Sequence, residues 1–252
     1  MNSKITLITG GSRGLGRNAA LALARQGSGI LLTYRTREAE AAEVVAEIER
    51  LGGQAAALQL DVGESSSFDT FAAKVRQLLQ QKWQRQSFDF LVNNAGVGVY
   101  APITDTSETQ FDQLMNIHLK GPFFLTQKLL PLIADGGRIL NLSSGLTRFT
   151  QPGYGAYAAM KGAIEVLSKY MAKELGARGI AVNSIAPGAI ETDFGGGTVR
   201  DDAQINQALA SQTALGRVGV PDDIGPVIAA LLSDGARWIN GQRIEASGGM
   251  FL

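Results

Sequence analysis

The sequence lacks several residues on which whole classes of active site depend. Its 252 residues include no cysteine and only one histidine. Disulfides, cysteine-ligated zinc and thiolate catalysis are therefore excluded, and so are histidine-rich metal sites. A catalytic triad based on histidine has no second candidate for its base. The chemistry of this chain has to rest on other side chains.

The chain also has no excess of charge and no long apolar run. Lysine plus arginine and aspartate plus glutamate total 23 each, so the net charge is zero at neutral pH. This balance argues against nucleic acid or an anionic membrane as the main partner. No apolar run reaches the roughly 18 residues of a membrane span. The N-terminal letters M-N-S-K-I-T-L-I-T-G lead into a predicted strand without a signal peptide. We expect a soluble, cytoplasmic protein.

The first chemical signal is the spacing of Tyr157 and Lys161. They lie in a run of helical periodicity at 153–175, where residues four apart share a face. A nearby ammonium is expected to lower the pKa of the phenol from about 10 and prepare it for proton exchange. Ser144, thirteen residues upstream, could hold a carbonyl oxygen beside the phenol. Alone, the pair is more typical of an amphipathic helix surface than of a catalytic site.

A second signal is the glycine-rich stretch T-G-G-S-R-G-L-G at 9–16. It follows a short apolar run at 4–9 and precedes a helical pattern that stops at Gly27. In that context the turn lets a pyrophosphate approach backbone N–H groups at a helix N-terminus. Gly10, Gly14 and Gly16 are the candidate close-approach positions. The alternative is an ordinary turn between a strand and a helix.

Strand and helix patterns alternate along the whole chain, with no linker between them. This predicts a single α/β domain built as a three-layer, doubly wound parallel sheet. In such sheets the ligand lies beyond the carboxyl ends of the strands, where the candidate groups also fall. The predicted strands are 4–9, 30–34, 55–60, 88–92, 138–142, 180–185 and 242–245. The predicted helices include 36–51, 108–130 with a kink at Gly121-Pro122, 202–211 and 221–232, and a polar connection is predicted at 80–86.

Together these motifs resemble the classical short-chain dehydrogenase/reductase family. The glycine turn fits T-G-x-x-x-G-x-G, residues 93–96 read N-N-A-G, and Ser144 precedes Y-x-x-x-K. Within the family the chain looks most like the 3-oxoacyl-carrier-protein reductase type. The resemblance implies a Rossmann-type domain over 1–252, a nicotinamide cofactor, no metal and a homotetramer or homodimer.

The resemblance also implies roles for individual residues. Ser144 would polarise the substrate oxygen, Tyr157 would donate the proton in reduction, and Lys161 would lower the pKa of Tyr157 and bind the nicotinamide ribose. The cofactor itself would contact the glycine turn, the adenine end, the N-N-A-G segment and the segment after the sixth strand. These positions are Gly10, Ser12, Arg13, Gly14, Leu15, Gly16, Asp61, Val62, Asn93, Ala95, Gly96, Pro187, Gly188, Ile190 and Thr192.

Three positions depart from the family pattern. His118 stands where the family usually has asparagine, and we expect it to imitate the amide, to titrate near its ordinary pKa of 6.5, or only to fill the slot. The second strand ends in Tyr34-Arg35 with no acid, so Arg13 and Arg35, with hydroxyl help from Ser12 or Thr36, predict NADPH over NADH. Ser247 replaces an aspartate, and the sequence offers no reason for it.

The pattern as a whole predicts an NADPH-dependent reductase of a small-molecule carbonyl compound. The same site could serve as an alcohol dehydrogenase in the oxidative direction. A regulator that binds NADP(H) without chemistry, or a purely structural oligomer, would not need Tyr157, Lys161 and the glycine turn together.

The substrate pocket is expected at 94–104, 145–154 and 191–214. A lid is expected within 191–216, because Gly195, Gly196 and Gly197 give that segment conformational freedom. The expected apolar wall consists of Val97, Val99, Tyr100, Leu146, Phe149, Tyr154 and Phe194.

Overall fold

The computed structural model describes residues 3–252, so the first two residues of the expected domain lie outside the described residues. Seven strands form one sheet in the order β3-β2-β1-β4-β5-β6-β7, and every neighbouring pair is parallel. The expected parallel α/β sheet is confirmed. The strands are β1 (Ile5–Ile8), β2 (Gly29–Tyr34), β3 (Ala55–Gln59), β4 (Phe88–Asn93), β5 (Ile133–Leu142), β6 (Ala181–Pro187) and β7 (Arg243–Ala246).

Helices cover both faces of this sheet. They are α1 (Gly14–Arg25), α2 (Glu38–Arg50), α3 (Phe68–Leu78), α4 (Glu108–Met115), α5 (Gly121–Leu129), α6 (Gly155–Leu175), α7 (Thr198–Asp201), α8 (Ala203–Ser211) and α9 (Pro221–Leu232). Within residues 3–252, none of these helices is both long and apolar enough to cross a membrane.

The apolar strands divide their side chains between two cores. Ile8 and Leu32 join a cluster with α1, α2 and α9, whereas Leu7 and Leu31 join a cluster with α3, α5 and α6. This follows from the period of two in a strand, which sends successive side chains to opposite faces. Because both faces are covered, neighbouring residues of one strand can both be apolar, as Leu7 with Ile8 and Leu31 with Leu32 are.

The long helix predicted at 108–130 is divided in an unexpected way. Ser107 caps α4 through reciprocal hydrogen bonds with Gln110, and a wide π-helical turn at Asn116–Lys120 then joins α4 to α5. The backbone N–H of Gly121 closes this turn by donating to the carbonyl oxygen of Asn116, and the helix continues through Pro122 into α5. The irregularity therefore lies directly before Pro122, next to the predicted position, and takes the form of a π-helical turn.

The predicted polar connection at 80–86 is wrong in its first half. A second π-helical turn, Leu79–Trp83, continues α3. Leu79 is fully buried, and the indole of Trp83 packs where Gly29 has no side chain; a Cβ atom there would lie 2.5 Å from the indole nitrogen. Burial of these two side chains extends the helix through this segment, although the residues between them are polar.

The segment expected to form a lid contains two helices. The helix predicted at 202–211 is confirmed as α8, and the four-residue α7 before it was not predicted. They follow a tight turn in which Gly195, Gly196 and Gly197 all have positive φ, between 61° and 82°. Three successive left-handed residues favour glycine strongly, so the G-G-G sequence here serves a specific backbone path.

Candidate active site

A cavity of about 990 Å³ opens at the carboxyl ends of the strands. It brings together all but two of the residues that the sequence analysis proposed for catalysis or cofactor binding. Those lining it are Gly10, Ser12, Arg13, Gly14, Leu15, Tyr34, Arg35, Thr36, Asp61, Val62, Ala95, Gly96, His118, Ser144, Tyr157, Lys161, Pro187, Gly188, Ile190 and Thr192. Gly16 and Asn93 are the exceptions.

Gly16 supports the glycine turn from behind. A Cβ atom at this position would collide with the carbonyl oxygen of Gly10, which itself has a φ of 65°. The Nδ2 atom of Asn94 donates to the carbonyl oxygens of Thr9 and Gly10 at 2.9 and 3.0 Å. The turn therefore depends on the missing side chain of Gly16, and the side-chain amide of Asn94 holds it against the end of β4.

Asn93 does not pack along the cavity, contrary to expectation. Its side chain points into the buried helix layer, where Nδ2 donates to Asn141 Oδ1 at 2.8 Å and to Thr126 Oγ1 at 3.2 Å. Successive strand residues face opposite sides of a sheet. Asn94 lines the cavity instead, and the alternation along β4 could have indicated this exchange.

Tyr157 lies at the centre of the cavity wall and is only 6% exposed. Its ring meets the His118 ring edge-on at 5.1 Å between centroids and the Phe194 ring at 5.6 Å. Burial raises the pKa of Tyr157 well above its ordinary value of 10, against a smaller opposing effect from hydrogen bonding with Ser144. The phenol therefore keeps its proton at neutral pH.

Lys161 is equally buried, and its Nζ donates to the carbonyl oxygen of Leu142 at 2.6 Å. Burial lowers the pKa of Lys161 to about 7, because desolvation disfavours the charged form. Its Nζ lies 5.6 Å from the centroid of the Tyr157 ring. The expected lowering of the pKa of Tyr157 is not seen in the protein without its cofactor, because burial of the phenol raises that pKa.

Ser144 begins a short turn at the end of β5. Its Oγ accepts a hydrogen bond from the backbone N–H of Leu146 at 3.2 Å. The half-buried carboxylate of Glu165 anchors the same turn by accepting from Ser143 Oγ at 2.5 Å, Thr147 Oγ1 at 2.8 Å and Arg243 Nε at 2.7 Å. The sequence analysis missed Glu165, although it lies on the face of α6 that carries Lys161, one turn later.

His118 clamps the segment after β4. Its Nε2 lies 2.8 Å from the carbonyl oxygen of Val97 and 3.3 Å from the backbone nitrogen of the same residue. The shorter contact favours the tautomer in which Nε2 donates to the carbonyl oxygen. Nδ1 is buried without a partner among residues 3–252. Burial, and then the charge of Lys161, lower the pKa of His118 well below 6.5. The expected titration near 6.5 is therefore wrong, and the ring acts as a neutral donor.

Three arginines line the cavity near the end of β2. Arg13 pairs with Asp193 of the lid at 3.3 Å, and Arg37 pairs with Glu40. The side chain of Arg35 forms no hydrogen bond or ion pair within the described part of the chain. Arg37 was missed, because its position after the strand resembles an ordinary solvent-exposed helix start.

The segment expected to form a lid contributes its own charges at this point. Hydrogen bonding from Arg200, together with the charges of Arg200 and Arg13, holds the pKa of Asp193 below its usual range. Thr192 Oγ1 accepts from the backbone N–H of Phe194 at 3.2 Å. The lid therefore meets the glycine turn through one exposed ion pair, which is weak because solvent screens it.

The rest of the cavity is an apolar pocket around Tyr157. Of the seven wall residues predicted, only Val99 does not line the cavity; it packs with the buried cluster behind Tyr157. Gln151, Ile205 and Leu209 also line the cavity and lie within the predicted ranges 145–154 and 191–214, whereas Met250 was missed. Met250 comes from the far end of the chain, where Arg148 holds its carbonyl oxygen, so no local pattern could have placed it.

The family model described as enoyl-(acyl carrier protein) reductase matches residues 10–251. A tetrahydroxynaphthalene reductase of Pestalotiopsis fici is 35% identical, over 98% of this chain and 91% of its own. An uncharacterized oxidoreductase of Methylorubrum extorquens is 36% identical, over 99% and 98%. These similarities span almost the whole chain.

Solved structures agree with this result. The promiscuous reductase LugOII, which catalyses keto-reduction at C1 during lugdunomycin biosynthesis, superposes with a TM-score of 0.94 at 40% identity, covering 99% of this chain and 98% of its own. The angucycline C-6 ketoreductase LanV, solved with bound NADP, gives 0.93 at 36% identity, covering 98% and 95%. The expected family and architecture are confirmed: the chain belongs to the short-chain dehydrogenase/reductase family of oxidoreductases.

Proposed function

We propose that the protein reduces a ketone to a secondary alcohol with NADPH, and that Tyr157 is the proton donor. The observation that carries this proposal is the single cavity in which Tyr157, Ser144 and Lys161 adjoin the glycine turn. The reductases and the NADP-bound ketoreductase among its relatives support the same cofactor and reaction. The predicted class, an NADP(H)-dependent reductase, is confirmed at that level.

The residues present fit the cofactor. Gly10 and Gly14 have positive φ and leave a backbone cradle at the N-terminus of α1, where N–H groups favour phosphate. Arg13 and Arg35 would hold the 2′-phosphate of NADPH, with Ser12, Thr36 and the newly found Arg37 nearby. No acid ends β2 to repel that phosphate.

The two ends of the cofactor would meet separate groups. Asp61 and Val62 lie beside the adenine side of the cavity, and Asp61 is fixed by accepting from the N–H of Gly63 at 2.8 Å. The carboxamide end would meet the segment after β6 at Pro187, Gly188, Ile190 and Thr192. When bound, NADPH supplies the hydride that the substrate carbon receives.

The protein's own groups manage the substrate oxygen. Ser144 would donate a hydrogen bond that holds the carbonyl oxygen beside the phenol, and Tyr157 would transfer its proton to that oxygen as its charge develops. The raised pKa of Tyr157 keeps the phenol in the protonated form that reduction requires. Lys161 would bind the nicotinamide ribose and stabilise the phenolate left behind. His118 would hold the wall segment through Val97.

The test is turnover of simple ketones with NADPH deuterated at the transferable position. We expect consumption of NADPH in step with formation of an alcohol that carries deuterium on the carbinol carbon, read by mass spectrometry and NMR. Tight cofactor binding with no turnover of any ketone would contradict the proposed reaction.

We also propose a cytoplasmic homotetramer, with a homodimer as the smaller alternative. The support is a set of exposed large apolar side chains on α4, α5 and α6, namely Phe111, Phe123, Phe124, Val166 and Tyr170. Two copies joined through these helices would cover them. Light scattering coupled to gel filtration tests this, and a monomer at micromolar concentration would contradict it.

A further inference from the structure

Three aromatic rings of the substrate pocket are seated on glycines. A Cβ atom at Gly98 would lie 2.8 Å from Cε1 of Phe194, and one at Gly145 would lie 2.8 Å from Cε1 of Phe149. A Cβ atom at Gly153 would collide with the ring of Tyr100. Real side chains do not approach so closely, so each ring occupies space that any other residue would fill.

The backbone does not require glycine at two of these positions. Gly153 has a φ of 88°, but Gly98 and Gly145 do not have positive φ. Their missing side chains therefore serve the contact with the rings rather than the path of the chain. Gly145 directly follows Ser144, so this contact lies within one residue of the group expected to hold the substrate oxygen.

One of these rings contacts the reacting phenol, and the other two pack against further aromatic rings. Phe194 lies 5.6 Å from Tyr157, and Tyr100 meets Tyr154 edge-on at 5.5 Å. Phe149 is held from behind by Phe251 at 4.6 Å. Within the described chain, the cavity lining contributed by 97–100, 145–154 and 205–209 contains no charged side chain. Asp193 also lines the cavity, but its carboxylate pairs with Arg13 of the glycine turn.

From this arrangement we infer that the pocket takes a flat, fused-ring ketone, and that Gly98 and Gly145 set the width of the slot that receives it. The inference rests on the proposed reductase function and adds the substrate class. Aromatic rings favour offset-stacked or edge-to-face contact with another flat ring. An uncharged aromatic slot offers no partner to a carboxylate or phosphate on the substrate. Alanine at 98 or 145 would press Phe194 or Phe149 into the slot.

The experiment compares three uncharged ketones with NADPH: 2-tetralone, which has a flat aromatic ring; 2-decalone, its puckered saturated counterpart; and the acyclic ethyl acetoacetate. We expect kcat/KM for 2-tetralone to exceed both others about tenfold or more, since one or two stacked contacts contribute a factor of that order. Gly98→Ala and Gly145→Ala should each lower the 2-tetralone to ethyl acetoacetate ratio about tenfold. Gly162→Ala is the control, because nothing lies within 4 Å of a Cβ atom there, and its ratio should match wild type.

Phe149→Leu provides a second route if an alanine variant fails to fold, since it removes a ring and adds no bulk. It should lower the same ratio. Equal or better turnover of 2-decalone or ethyl acetoacetate by the wild type would overturn the flat-ring inference while leaving the reductase function in place. Unchanged ratios in the folded glycine variants would overturn the role of Gly98 and Gly145. A wild type that oxidises NADPH with none of the ketones would contradict the proposed function itself.

Discussion

At Tyr157, burial and hydrogen bonding act on the pKa of one phenol in opposite directions, and burial has the larger effect. A phenol with a raised pKa gives up its proton only to a strongly basic acceptor. The oxygen of a ketone that is accepting a hydride becomes such a base, whereas an alcohol substrate would first need a phenolate. In the protein without its cofactor, the phenol therefore carries the proton that reduction requires near neutral pH.

The single histidine is expected to act by position rather than by titration. Its low pKa leaves a neutral ring that donates to the carbonyl oxygen of Val97. We predict that His118→Asn, which keeps an N–H donor, retains kcat/KM within roughly tenfold of wild type. His118→Leu leaves that buried carbonyl without its donor and should lose more activity, at a cost of about 1–3 kcal/mol.

The pH profile separates this positioning role from a proton relay. If His118 stays neutral, the low-pH limb of kcat/KM should coincide for wild type and His118→Asn. A shift of that limb between the two proteins would mean that the imidazole titrates during turnover. A leucine variant with wild-type rate and pH profile would remove His118 from the mechanism.

Burial of Lys161 gives stability a defined pH dependence. Its pKa is about 7 in the folded protein against 10.5 ordinarily, so between these values the unfolded chain binds more protons and the free energy of unfolding rises with pH. The penalty for the buried charge is complete below pH 7. We predict that the Tm difference, Lys161→Met minus wild type, is largest below pH 7 and falls toward pH 10.5.

Thermal unfolding followed by circular dichroism measures this difference. Lys169→Met is the matched control, because it changes an exposed lysine two turns further along α6 and should show no such trend. A Tm difference for Lys161→Met that stays flat or grows with pH would contradict burial as the cause of the lowered pKa.

At the scale of elements, the wide turn between α4 and α5 brings backbone against backbone beside the cavity. A Cβ atom at Gly121 would collide with the carbonyl oxygen of Val62 and lie 2.9 Å from that of Asn116. We predict that Gly121→Ala lowers the free energy of unfolding by about 1–3 kcal/mol, the usual cost of overpacking. Neither carbonyl belongs to a flexible side chain that could move aside.

Urea unfolding compares this variant with Gly162→Ala, in which the new methyl group meets open space on α6. The control should be neutral or stabilised by up to about 1 kcal/mol, the difference in helix propensity. Equal stability of the two variants would mean that the π-helical turn can shift to admit a methyl group, and that Gly121 does not fix its position.

At the scale of the whole molecule, the net charge is zero, but Arg13, Arg35 and Arg37 lie together in the cavity lining, where the cofactor phosphate is proposed to bind. We predict that kcat/KM is tens- to thousands-fold higher with NADPH than with NADH, at roughly 1.5–3 kcal/mol per charge-assisted hydrogen bond. The double change Arg13→Gln and Arg35→Gln should remove most of this preference. Arg237→Gln, outside the cavity, is the control. A wild type that prefers NADH would contradict the phosphate assignment.

Local signals made the sheet and the cofactor end predictable. A short apolar run such as Ile5–Ile8 is typical of a strand that is covered on both faces. Gly10 and Gly14 indicate a turn whose positive φ angles other residues rarely adopt. The remaining features depend on the folded chain. Burial, which reversed the expected pKa of Tyr157, exists only after folding, and Met250 reaches the pocket from the far end of the sequence.

The proton donor is the central claim, and one substitution tests it most directly. Tyr157→Phe removes the hydroxyl group but keeps the ring that packs against His118 and Phe194. The measurement is the initial rate of NADPH oxidation with a ketone that the wild type reduces, alongside NADPH affinity by fluorescence titration. We predict that the rate falls by a factor on the order of a thousand or more, while the affinity for NADPH stays nearly unchanged. A rate within about tenfold of wild type would contradict Tyr157 as the acid.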